Sequence, residues 1–155
     1  MVRRTYGDCS IVRATIQHVH ELKDKLRVHD VRECELLGSN PKTALMLALT
    51  TDISTYAALD GEGKVFAMFG SGPLEGPSGY IWMLGADDVL THKRQFIRAS
   101  RDWVNHLSQP YTFTTNVVLK ENKVAVRWLR FCGAKFVREV TISDNPFYEF
   151  IITPN

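Results

Sequence analysis

A strand, a polar turn, an amphipathic helix, a glycine stop and a second strand follow one another in the stretch YTFTTNVVLKENKVAVRWLRFCGAKF, Tyr111 to Phe136. Tyr111 to Val118 is β-branched and aromatic, a composition suited to a pleated, half-buried surface. Lys120, Glu121 and Asn122 break that run, and Asn122 is a favourable N-cap for the helix that follows. Val124, Ala125, Trp128, Leu129 and Cys132 recur at helical spacing, with Lys123, Arg127 and Arg130 on the opposite side. Gly133 stands where a helix end wants a residue with positive φ. Lys135 to Ile142 then reads as a strand.

The remainder extends this pattern. Cys9 to Ala14 reads as a first strand. Ile16, Val19, Leu22 and Leu26 are spaced to share a helix face. Asp30 and Glu33 have the spacing of a capping box, opening a helix through Val31, Cys34 and Leu37 that Gly38 stops. Asn40 and Pro41 open another, with Leu45, Met46 and Leu49 inward. Ser54 to Leu59 and Lys64 to Phe69 form a hairpin around Asp60-Gly61-Glu62-Gly63. GSGPLEGPSG, residues 70–79, matches neither G-x-G-x-x-G nor a P-loop and reads as a flexible connection. Tyr80 to Leu84 is apolar enough for a central strand. Gly85-Ala86-Asp87-Asp88 leads into a helix reaching Leu107, and Pro146 to Thr153 is the last strand. The predicted order is β, two or three helices, βββ, α, β, α, ββ: a single α/β domain over residues 1–155.

Asn122, Ala125 and Gly133 fit an N-x-x-A-x(7)-G pattern between two strands, and the segment resembles the late helix of the GNAT (Gcn5-related N-acetyltransferase) superfamily. Ordinary members have a tyrosine seven residues after the Asn and a phenylalanine after the Gly, where this chain has Leu129 and Ala134. RWLRFCGAKF and IWMLGADDVLTHKRQF resemble more closely the small GNAT-like proteins of short-tailed phages, a group that includes internal virion protein A. The resemblance covers the second half of the chain, and the N-terminal third by element order alone.

The resemblance implies a mixed, mostly antiparallel central sheet with helices on both faces, in which the fourth and fifth strands splay apart and an acetyl-CoA arm lies between them. The implied cofactor-binding positions are Leu84, Gly85, Thr91, His92, Lys93, Arg94, Val118 and Asn122. Members carry a glycine-rich Q/R-x-x-G-x-G/A turn whose N–H groups meet the pyrophosphate at a helix N-terminus. Residues 85–94 lack it, and Asp87 and Asp88 would repel a pyrophosphate facing them. Leu129, in place of the usual tyrosine, cannot protonate a departing thiolate; Tyr111 and Tyr148 are alternatives that read as packing aromatics. Asp87, Asp88 and Glu121 are the carboxylates near the strand ends, with Asp87 and Glu121 the catalytic candidates.

Composition narrows the partners. The net charge of +2 does not argue for nucleic acid, although Lys120, Lys123, Arg127 and Arg130 form a basic face. Cys9, Cys34 and Cys132 have no metal-ligand spacing and suit a reduced setting, with Cys132 a small core residue. His18 and His20, two apart, fall on different sides of a helix, so no metal is expected. Trp82, Trp103 and Trp128 occupy apolar positions. No apolar run spans a membrane and no signal peptide is evident. The phage resemblance implies a place in the host cytoplasm or the virion, with virion proteins or a host protein as partners. Two readings stay open: an interaction module of virion assembly, genome ejection or host contact with a degenerate acyl-CoA site, and an active N-acetyltransferase of a small or protein amine.

Overall fold

A computed structural model describes residues 4–52, 54–87, 89–90 and 93–155. Strands β1 (Arg4–Tyr6) and β2 (Cys9–Arg13) precede three helices, α1 (Ile16–Leu22), α2 (Val28–Leu36) and α3 (Pro41–Thr51). Strands β3 (Ser54–Leu59), β4 (Val65–Pro73) and β5 (Gly79–Gly85) lead to α4 (Arg94–Ser108). Then come β6 (Thr114–Leu119), α5 (Lys123–Phe131), β7 (Lys135–Ile142) and β8 (Asn145–Ile152). The sheet order is β1-β2-β3-β4-β5-β6-β8-β7, antiparallel throughout except for the parallel contact of β5 with β6.

Strand alternation sends side chains to two cores. On β3, Tyr56 and Ala58 join Phe69, Phe96, Trp103, Val126 and Leu129 under α4 and α5. Ala57, between them, faces the opposite core with Val19, Leu22, Leu45 and Met68 under α1 and α3. The hairpin turn after β3 is tied by Asp60, whose Oδ1 accepts from the N–H groups of Glu62 and Lys64, each at 2.9 Å. Gly133, at φ +96°, ends α5 as its position predicts.

Several boundaries differ from the sequence reading. The glycine-rich stretch is not wholly a loop, because β4 runs through Gly70, Ser71, Gly72 and Pro73 and pairs with β5. Gly70 is required there: a Cβ would lie 2.3 Å from the Ser54 carbonyl oxygen on the neighbouring strand. The helix after β5 begins at Arg94, well beyond Asp87. Helix α2 opens at Val28, so Asp30 and Glu33 lie within it and form no capping box. Leu26 is not on α1 but bridges to Ala86, and Ile16 is exposed. No helix among the described residues is long and apolar enough to cross a membrane.

Candidate functional site

The parallel pairing of β5 with β6 extends only from Gly79–Thr114 to Tyr80–Thr115, after which the strands part. Asn116 keeps them apart at the apex. Its Nδ2 donates to the Ile81 carbonyl at 2.7 Å and its Oδ1 accepts from the Val117 N–H at 2.8 Å, replacing one step of strand pairing. A polar residue within a β-branched strand was the sequence signal for this wedge.

The split opens into a cavity of about 410 Å³ that reaches both faces of the sheet. Its walls include Phe96, Trp103, Leu107 and Trp128 on one side and Ala48 and Leu47 on the other. Backbone parity identifies the groups facing the split. Gly79 donates its N–H to the Phe113 carbonyl, Ile81 accepts from Asn116, and Gly85 donates across the opening, so odd-numbered residues of β5 point toward β6. By the same alternation Met83 presents its N–H and carbonyl to the split, where β6 offers no pairing partner.

Helix α2 closes the wide end. Asp30 Oδ2 accepts from the Gly85 N–H at 2.8 Å, and Glu33 Oε1, one turn on, accepts from the Leu119 N–H at 2.8 Å. Arg27 joins the two sides. Its backbone N–H donates to the Gly85 carbonyl (2.9 Å), Nη1 to Asp30 Oδ1 (3.0 Å) and Nη2 to Asn122 Oδ1 (3.0 Å). Asn122 Nδ2 donates in turn to Glu33 Oε1 at 3.2 Å. Residues 27, 30 and 33, spaced three apart, put this polar row on one face of the helix. Burial raises the pKa of Asp30 despite the opposing pull of Arg27 and the Gly85 N–H. Burial likewise pushes Glu33 up to about 7, against hydrogen bonds from Leu119 and Asn122.

A third carboxylate stands at the end of α3. Asp52 Oδ1 accepts from the Tyr80 hydroxyl and Oδ2 from Trp82 Nε1 at 2.5 Å. Burial raises its pKa while these two bonds lower it. Burial and the bond to Asp52 push the Tyr80 hydroxyl up to about 12. The cavity is therefore lined by three carboxylates and the Arg27 guanidinium, which is already committed to Asp30 and Asn122.

The residues singled out from sequence scatter around this centre. Leu84 and Val118 line the cavity on opposite strands, and Gly85 and Asn122 belong to the network at its wide end. Asn122 makes no side-chain cap to α5, because its amide is taken by Arg27 and Glu33. Lys93 and Arg94 instead line a separate depression beside Asp8 and Cys9, with Lys93 Nζ 5.0 Å from the Phe66 ring centre. Glu121 is exposed and paired with Arg32 at 3.0 Å, and Asp87 is exposed. Asp88, Thr91 and His92 lie outside the described residues. Leu129 lines the cavity, whereas Tyr148 packs on Phe136 and the Tyr111 ring lies over Gly79. Cys132 is buried in the core, its thiol pushed up to about 12 by desolvation. Of the tryptophans, Trp103 is buried, while Trp82 and Trp128 are half-buried on the cavity wall.

No family model matches the chain, and no curated protein matches its sequence. Solved structures do match in fold. Ard1 from Thermoplasma volcanium aligns with a TM-score of 0.74 at 8% identity, over 96% of this chain and 99% of that one. A GNAT-family acetyltransferase from Bacillus anthracis gives 0.71 at 10% identity, over 98% of each chain. The aminoglycoside acetyltransferase AAC(6')-Ib, in complex with ribostamycin and coenzyme A, gives 0.67 at 16% identity, over 94% and 93%. The element order matches the sequence reading apart from the added β1 ahead of the first predicted strand, and with a parallel pair that splits and matches spanning nearly the whole chain, this protein has the GNAT fold.

Proposed function

We propose that the chain is a phage-type GNAT-fold protein that acts through protein contacts, in virion assembly, genome ejection or host interaction, with a degenerate acyl-CoA site. The observation that carries this reading is the closure of the split by the chain's own carboxylates. An extended cofactor arm needs backbone donors, and at the wide end Gly85 and Leu119 already give theirs to Asp30 and Glu33. The residues there do not fit an anionic cofactor either, since two of the groups that meet it are acids. The sequence agrees: residues 85–94 lack the phosphate-binding glycines, and Leu129 replaces the usual tyrosine. The phage assignment rests on the resemblance of RWLRFCGAKF and of IWMLGADDVLTHKRQF with its following helix.

A second reading, an acetyl-CoA-dependent N-acetyltransferase of a small or protein amine, is favoured by one feature. The Met83 backbone faces the split without a strand partner, on a cavity whose surplus of carboxylates suits a cationic amine. The test is thiol release from acetyl-CoA across a panel of amines, alongside capture of partners by the tagged protein in infected cells. The first reading expects no turnover and a stable partner. Amine-dependent turnover by a partnerless protein would overturn it.

A further inference from the structure

Helix α2 is attached to the sheet in an unusual way. Within it only Asp30 and Cys34 are buried, and Cys34 belongs to the core under α1 and α3. Val28 is 75% exposed, and Leu37, which follows the helix, is 47% exposed. Toward the β5–β8 side of the sheet, the bonds of α2 and its N-cap Arg27 are polar. Asp30 holds Gly85, Glu33 holds Leu119 and Asn122, and Arg27 holds Asn122. Arg32 reaches Glu121 and Asn145, each at 3.0 Å, and the Leu36 carbonyl accepts from the Ser143 hydroxyl at 2.8 Å. Such bonds exchange readily for bonds to water, whereas the apolar contacts of α1 and α3 do not.

We propose that α2 is a latch: it swings from the β5–β8 side as a unit, pivoting on its apolar attachment beside α1 and α3, and uncovers the split and the cavity behind it. Two flanking segments accommodate the pivot. Gly38, at φ +85°, follows the helix with open space where a Cβ would stand, and on the other side the hinge falls at Arg27, whose backbone N–H stays bonded to the Gly85 carbonyl beside the Leu26–Ala86 bridge. Opening frees the Gly85 and Leu119 N–H groups together, because the carboxylates that hold them sit one turn apart on the same helix. The inference builds on the closed split described above, and adds that the closure is reversible.

Native-state hydrogen exchange on the wild-type protein tests this without any ligand. The latch requires the Gly85 and Leu119 amides to exchange through one shared opening, with equal protection and weak denaturant dependence, well below the protection of Met68 in the core. Exchange of both amides only with global unfolding, or with unequal protection, would overturn it. The Asp30→Ala/Glu33→Ala variant supplies the second arm, with Met68 protection reporting that the core is still folded. There the Gly85 and Leu119 amides should lose at least tenfold in protection while Met68 keeps its own. Unchanged protection at both sites in a folded variant would equally refute the latch. A loss of acyl-transfer activity or its absence bears on the functional reading and leaves these protections unaffected.

Discussion

Replacing Arg27 by Met should be among the most damaging single changes in the protein. The Arg27 and Asp30 side chains are 9% and 6% exposed and meet at 3.0 Å, so their pairing is shielded from solvent. Methionine keeps much of the arginine's length but leaves the Asp30 carboxylate with the Gly85 N–H as its remaining partner, and strands the Asn122 carbonyl oxygen. Breaking a buried pair from one side typically costs about 3–5 kcal/mol, because a desolvated charge is left uncompensated. At roughly 2–4 °C per kcal/mol for a domain of this size, Tm should fall by about 10–15 °C. Adding Asp30→Asn to Arg27→Met removes the stranded charge while an amide oxygen still accepts from Gly85. The double variant should therefore regain about 2 kcal/mol over Arg27→Met alone, a coupling well outside additivity. Urea unfolding of the wild type, both singles and the double closes the cycle. A loss below about 1 kcal/mol for Arg27→Met, or strict additivity, would refute the reasoning that this pair is a desolvated clamp.

Other consequences are equally direct. Because burial raises Glu33 to about 7, its contribution to stability is complete below the unfolded-state pKa and is lost as pH rises through about 7. The unfolding free energy from urea titration should thus fall between pH 5 and pH 8, by at most about 1.4 kcal/mol per pH unit from this group, and Glu33→Gln should flatten the slope; an unchanged slope would contradict the assignment. Trp128 Nε1 has no acceptor among the described residues, so Trp128→Phe should change stability by less than about 1 kcal/mol. Trp82→Phe, which removes the donor to Asp52, should cost about 1–3 kcal/mol, and circular-dichroism melts would separate the two. Gly70→Ala sets a Cβ 2.3 Å from a backbone oxygen, which cannot give way as a flexible side chain would. A loss of about 1–3 kcal/mol is expected from denaturant titration, and none would mean that the β3–β4 pairing is looser than described.

The fold was readable from sequence where local chemistry and tertiary need coincide. Tyr111 to Phe136 carries a strand, a turn, a helix and a glycine stop in that order, although the strand starts at Thr114 rather than Tyr111, and β7 falls at Lys135–Ile142 as expected. The candidate site was less accessible, because its residues imitate ordinary local signals. Asp30 and Glu33 have capping-box spacing, yet Val28 opens the helix and both carboxylates turn to strand ends 55 and 86 residues away in the chain. Asn122 likewise suits an N-cap by type, but its amide goes to Arg27, 95 positions earlier. A row of ionisable residues at 27, 30 and 33 was the available hint of an inward polar face. Asp52 gave less, since only the fold brings Tyr80 and Trp82 to it.

Thermal unfolding with and without millimolar acetyl-CoA tests most directly whether the split still takes a cofactor. A ligand at about 100 times its dissociation constant stabilises by about 2.7 kcal/mol, which here means a shift of roughly 5–10 °C. Closure by Asp30 and Glu33 predicts no shift in the wild-type protein. A clear rise in Tm would contradict it and make the protein a working acyl-CoA binder.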